Sequence, residues 1–211
     1  MKDSLKVTGD VKIRLNGEVV RHIPNTVVDA GKAWMTDRLD SSPESVMAAI
    51  AIGTNNTAVG ASDVALNTEI ARVTLDATTV TANTIEYTAT FPAGTGTGAI
   101  VEAGILNIDD STTLHVHDGA DNAAVLTDST ASFTNDALIG ATLYNLTDGS
   151  DTVVTDNDAT TITGVLANGT DDDWDIGDSY SLGKMLARTV FGAINKDASD
   201  SLSITWQVTI N

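Results

Sequence analysis

The chain has 211 residues, with 29 Asp or Glu against 11 Lys or Arg, a formal charge of −18 and a pI near 4.1. Bases scattered singly under that acidic excess exclude electrostatic nucleic-acid binding, which needs clustered Lys and Arg, and they disfavour anionic membrane surfaces. Zero Cys removes disulfides, thiolate catalysis, iron–sulfur clusters and Cys-ligated zinc, and it leaves the redox compartment open.

Apolar residues make up 42% of the chain, enough to bury a core in one or two domains. The segment Met1 to Lys12 is polar and alternating, and no run approaches the roughly 18 apolar residues of a membrane span, so neither a secretion signal nor membrane insertion is expected. With 4% aromatics and many Thr, Val, Asp and Asn residues, the vocabulary is that of strands and turns, and the predicted fold class is all-β.

In chain order, Leu5 to Val7 and Val11 to Leu15 alternate, Asn16-Gly17 supplies the positive-φ dipeptide of a tight turn, and Glu18 to Ile23 returns as the second arm of a hairpin. Over Asp29 to Leu39 the period changes, and the spacing predicts one short helix with Asp29 as its N-cap. Met47 to Ile52 reads as a buried strand of small residues, Gly53 to Gly60 as a loop, and Ser62 to Leu66 as a helical turn. Strands follow at Ile70 to Leu75, Thr84 to Phe91 and Ile100 to Ile108, with the Gly94 to Gly98 run read as a turn, not a phosphate cradle, because no Lys follows it. Ser201 to Ile210 alternates over ten positions and predicts a strand whose buried face is Leu202, Ile204, Trp206, Val208 and Ile210.

Charge divides the chain. From Ser111 to Gly183 there are 13 Asp and no Glu, Lys or Arg, whereas the remainder carries 16 acids and 11 bases. This break predicts a small inserted β domain over residues 111–183, with its own strands near Ala123 to Leu126, Leu138 to Leu146, Thr152 to Thr155, Thr160 to Leu166 and Ser179 to Leu182. Residues 1–110 and 184–211 then form a discontinuous host domain, in which Ile105-Leu106-Asn107 would otherwise turn directly into Met185 to Phe191.

Two acid or imidazole patterns are candidate metal ligands. His115-Val116-His117 puts two imidazoles on one strand face. Asp171-Asp172-Asp173-Trp174-Asp175 alternates acids like the start of a calcium loop, with Asp171, Asp173 and Asp175 as ligands, although Ile176 stands where an EF-hand has Gly and Leu182 where it has an acid. Solvated turn acids are the competing explanation. His22 reads as structural, and Trp34, Trp174 and Trp206 as core residues and not stacking platforms. No Gly-x-Ser-x-Gly elbow or triad context occurs, so no catalytic residue and no enzyme activity are expected.

The succession Ala51-Ile52-Gly53-Thr54, Ala61 to Glu69, Ala89-Thr90-Phe91, Gly94 to Ile105, Met185 to Phe191, Asn195-Lys196 and Thr205-Trp206 resembles a widespread group of tailed-bacteriophage virion proteins. Leu126 to Phe133 and Asp173 to Asp178 are similar to a β module that recurs in such proteins. The resemblance implies an immunoglobulin-like β-sandwich host and a non-enzymatic structural role on the virion surface, after synthesis in the host cytoplasm: a capsid decoration or head-fibre protein, or alternatively a tail, baseplate or fibre-attachment protein. Implied partners are other virion proteins, the major capsid protein or tail proteins, with symmetric copies of the chain as trimers or more. A calcium-dependent carbohydrate-binding adhesion module is the reading from a different class.

Overall fold

The computed structural model describes residues 6–40, 45–109 and 116–211. The first hairpin is β1 (Val7–Leu15) and β2 (Glu18–Pro24), joined through Asn16 at φ 50° and Gly17 at φ 87°, the left-handed pair that a two-residue turn matching strand twist requires. After β3 (Thr26–Val27) comes α1 (Asp29–Asp37), the single helix among the described residues. Its N-cap is Val28, not the expected Asp29. Val28 is fully buried and extended, the N–H of Asp29 goes to the Ala61 carbonyl, and the Asp29 carboxylate bonds Lys32 at 2.7 Å instead of a backbone N–H.

The chain continues through β4 (Ala49–Gly53), β5 (Glu69–Thr74), β6 (Ala77–Thr81), β7 (Thr84–Phe91) and β8 (Gly98–Leu106). Then come β9 (Val125–Thr127), β10 (Thr142–Asn145), β11 (Asp151–Val153), β12 (Asp156–Asn157), β13 (Thr161–Thr163) and β14 (Tyr180–Leu182), before β15 (Met185–Lys196) and β16 (Leu202–Ile210).

The fold is an all-β sandwich. One five-stranded sheet runs β2-β1-β16-β7-β6 and the other β3-β15-β8-β4-β5, every pairing antiparallel. Between them lies one core in which Val11, Phe91, Ile204 and Trp206 of the first sheet meet Ile50, Ile52, Ile105 and Phe191 of the second, with Trp34 of α1 closing one side. The alternation of β16 is the period-two signature of a strand with one buried face, yet Ile210 stands 41% exposed at its end. The loop between β4 and β5 covers the outer face of the second sheet, where Leu66 packs with Ala51, Leu106 and Met185.

Six short strands between Val125 and Leu182 make two three-stranded sheets, β11-β10-β14 and β12-β13-β9. They enclose a separate core of Leu126, Leu143, Val154, Ile162, Trp174 and Tyr180. Beside this segment the host ladder resumes directly, since Leu106 of β8 pairs with Met185 of β15.

The helical turn expected at Ser62 to Leu66 is not formed. Asp63 donates to the Gly60 carbonyl in a single turn, and the N–H groups of Asn67 and Thr68 go to the Glu102 side chain, which outcompetes local helical bonding.

Candidate functional site

The acidic loop forms around an inward tryptophan. Trp174 is 1% exposed, bridges Ala123 through reciprocal backbone bonds of 3.0 and 2.9 Å, and sets its ring between His117 and Tyr180. With that ring anchored in the core, the carboxylates of Asp171, Asp173 and Asp175 come together, each offering an oxygen within 4.8 Å of the others.

Neighbouring acids are consumed by the loop's own backbone. Asp148 accepts from the N–H of Ser150 and of Asp172, Asp172 from Gly169, and Asp178 from Asp175 and the Asn145 amide. Asp175 accepts from Asn122 at 2.8 Å. No described residue donates a hydrogen bond to the side-chain carboxylate of Asp171 or Asp173, whereas the Asp173 backbone carbonyl accepts from the Asn145 amide at 3.1 Å. Partial burial, with the negative charges of Asp171, Asp175, Asp148 and Asp178 around it, holds the Asp173 carboxyl above its ordinary range. Such oxygen-only, strongly anionic geometry suits a hard divalent cation such as calcium. The chain reversal falls on Gly177, at φ 96°, one position later than an EF-hand places it, and no helix flanks the loop.

The histidine pair has a different fate. His115 lies outside the described residues. His117 is fully buried; its Nδ1 accepts the backbone N–H of Thr127 at 2.9 Å, and its Nε2 donates to the Ala120 carbonyl at 3.1 Å. A backbone N–H can only donate, so Nδ1 is the unprotonated nitrogen and its lone pair is already taken. His117 is therefore a structural crosspiece stacked on Trp174, with centroids 6.0 Å apart, and has no free nitrogen for a metal.

His22 is exposed and sits 2.8 Å from Asp10 on the paired strand. Trp34, Trp174 and Trp206 are all core residues, at 8%, 1% and 0% exposure. In the Gly94 to Gly98 turn, a Cβ at Gly96 would lie 2.6 Å from Ile52 Cδ1, so close packing on the core explains that glycine without any phosphate.

Two ionic clusters escaped the sequence reading. On the outer face of the second sheet, Glu102 and Arg188 are both fully buried; Arg188 donates to Glu102 through Nε at 3.0 Å and Nη2 at 2.7 Å, and to Asp63 through Nη1 at 2.7 Å. Glu102 also accepts the N–H groups of Asn55, Asn67 and Thr68, which fixes both ends of the covering loop. The available signal was a lone acid inside the apolar run Ile100 to Leu106 and a lone base inside Met185 to Phe191.

The second cluster is the neck of the acidic segment. Arg72 on β5 grips Glu69 with two bonds of 2.8 and 2.9 Å, and its Nη1 donates to the carbonyls of Ile108 and Leu182, at 3.2 and 3.1 Å. One guanidinium thus holds the chain on both sides of the segment. Asn107 Oδ1 accepts from the Lys184 N–H at 2.7 Å, and Thr74 bonds Asp109, adding to the same junction.

No protein-family model matches the chain, and comparisons with curated proteins and with solved structures find no match either. Among the described residues, no helix is long and apolar enough to cross a membrane.

Proposed function

We propose that the chain is a non-enzymatic structural protein on the exterior of a tailed-phage virion, as a capsid decoration or head-fibre protein. The observation that carries the reading is the neck: Arg72 of the sandwich ties down Ile108 and Leu182, so a 13-Asp segment is held firmly to a host part of far lower charge. An arrangement of this kind suits a protein present in many copies, in which the acidic part faces solvent and repels its neighbours while the sandwich docks. Docking on an assembled lattice would stabilise the lattice over its free subunits. The residues that resemble phage virion proteins lie on β4, β7, β8, β15 and β16 of the sandwich and in the loop before β5, and those that resemble the recurring β module lie on and after β9 and in the loop before β14.

The docking surface in this reading is the amino-terminal hairpin with α1. There Val19 and Leu39 are exposed, and a groove runs between Val27, Lys32, Met35 and Thr36. Particle binding that vanishes on deleting residues 111–183 would place docking on the wrong part. The reading as a whole is tested by gold-labelled antibody against the chain on purified virions. Label over the head supports decoration, label at the tail tip supports the tail or fibre-attachment alternative, and unlabelled particles overturn the virion assignment.

The grouping of Asp171, Asp173 and Asp175 favours one second reading, a calcium-dependent adhesion module for carbohydrate. A Tm that rises on adding calcium, and returns after chelation, supports it. A Tm indifferent to calcium leaves these acids as solvated turn residues.

A further inference from the structure

The sandwich has four sheet edges, and three of them are blunted. β2 carries Glu18, Arg21 and His22, ends in Pro24 and is bulged against β1 between Ile13 and Arg14. β3 is two residues long. β5 carries Glu69 and the clamp residue Arg72, and its pairing with β4 shifts between Ile52 and Gly53. These are the devices by which folded proteins keep unpaired strands from pairing with another chain: charge, proline, bulges and shortness.

β6 has none of them. Its sequence, Ala77-Thr78-Thr79-Val80-Thr81, holds no charge and no proline, all five residues are exposed, and its register with β7 runs unbroken from Ala77↔Thr88 to Thr81↔Thr84. No described residue outside the β6–β7 hairpin hydrogen-bonds to Ala77–Thr81. Beside the strand lies an apolar groove of about 430 Å³ lined by Trp34, Leu39, Val80, Ile85 and Ile210, with Leu39 at 88% and Val80 at 68% exposure.

Charge selects the occupant. A basic partner finds no acid on Ala77–Thr81, and an acidic partner finds no base there. A second copy brings an equally uncharged edge, and its own two-fold pairing keeps acids apart. With Thr79 on the axis, Ala77 faces Thr81, Thr78 faces Val80, and Thr79 faces its own counterpart. The flanking Asp76 then stands opposite Ala82, so the two Asp76 residues sit at opposite ends of the ladder.

From this we infer that β6 is a self-association edge, through which two copies pair antiparallel to continue one five-stranded sheet into a ten-stranded one, with Val80 and Leu39 of each copy flanking the seam. The contact is isologous and gives a dimer, and it holds whether or not the chain belongs to a virion. Because each copy carries −18, salt screening strengthens it.

Sedimentation equilibrium of the full chain tests this, with Thr79→Lys and Thr79→Glu as variants. Thr79 is exposed but stands opposite Glu86 on β7, so Thr79→Glu adds one like-charge pair within each copy and Thr79→Lys an opposite-charge pair; melting curves of both check that they fold. The wild type is expected to show a monomer–dimer equilibrium that tightens with salt. Each variant sets like charges face to face on the axis and weakens dimerisation at least about tenfold. An equimolar mixture of the two variants restores the dimer, because Lys then meets Glu. A wild type that stays monomeric at millimolar concentration overturns the inference. So does a Thr79→Lys chain that dimerises like the wild type, or a mixture no better associated than its components.

Discussion

Arg72 Nη1 lies 3.1 Å from the carbonyl oxygen of Leu182, a residue 110 positions further along the chain. This bond joins a strand of the sandwich to the last strand of the acidic segment, and the same nitrogen reaches Ile108 on the segment's other side. Replacing Arg72 by Ala removes both bonds to the Glu69 carboxylate and the guanidinium donor to two carbonyls, with an expected loss of about 3 kcal/mol. Arg72→Lys recovers little, since one ammonium cannot bind the Glu69 carboxylate in two places and also span both carbonyls. Urea unfolding measures the loss, and small-angle scattering should show a broader distribution of shapes for both variants.

Glu102→Gln keeps the side chain's shape but leaves the fully buried Arg188 facing a neutral amide. The expected cost is about 3 kcal/mol, from a buried guanidinium left with Asp63 as its one remaining carboxylate partner among the described residues. Because Glu102 also receives the N–H groups of Asn55, Asn67 and Thr68, amide exchange over residues 54–68 should accelerate more than exchange in β16.

Gly31 sits in α1 where any Cβ would run into the backbone of Leu186. Gly31→Ala gains helix propensity and still destabilises, by about 1–3 kcal/mol, because overpacking against backbone cannot be relieved by a rotamer change. A thermal melt decides the sign.

Stability should decline at both ends of the pH range. Asp118, Asp158 and Asp200 have carboxyls held below the ordinary value of 3.8, each chiefly by hydrogen bonds: Ser129 for Asp118, the N–H groups of Thr160 and Thr161 for Asp158, and Asn16 for Asp200. Their contribution is complete above 3.8 and is lost as pH falls through the lowered values. At the alkaline end, burial pushes the Tyr87 phenol from 10.0 up to about 12, so its contribution is present below pH 10 and is lost as pH rises towards 12. Lys196 runs against this trend. Its ammonium is held below the ordinary 10.5 by burial, so the cost of burying that charge is relieved as pH climbs through its folded value. Tyr87→Phe should flatten the alkaline loss while leaving the acid limb unchanged, as read from denaturation midpoints across pH.

At the acidic loop, Asp173→Asn removes one of several crowded negative charges. The variant should melt higher than the parent in metal-free buffer, because a neutral amide at this position does not repel the surrounding carboxylates. If the loop holds calcium, the same substitution abolishes the calcium-dependent rise in Tm.

What the sequence displayed well was periodicity and punctuation. Asn16-Gly17 gave away the first hairpin, the ten-residue alternation gave away β16, and Leu106 and Met185 do meet as ladder partners across the acidic segment. What stayed hidden was set by three-dimensional context. β6 carries no alternation because both its faces are exposed, and β12 is only two residues long. Asp29 looks like a cap, yet the docking of Val28 against Leu186 fixes the helix entry one residue earlier. His117 reads as a ligand because its spacing from His115 is local, whereas the bonds that occupy its ring come from Ala120 and Thr127. The acids at 171, 173 and 175 were legible as a group because their proximity depends on a few consecutive residues around one buried tryptophan.

The pairing of Leu106 with Met185 also bears on how the chain folds. These neighbours are separated by 78 residues of sequence, so the central ladder of the second sheet is a long-range contact that a bare sandwich would make through a short turn. Closing that many residues as a flexible loop costs about 2–3 kcal/mol more than closing a four-residue turn. Prior folding of the acidic segment brings its two ends together and removes most of that entropic cost. Replacing residues 109–183 with a tight turn should therefore yield a sandwich of lower contact order that refolds faster than the whole chain, even though it lacks every contact the segment makes.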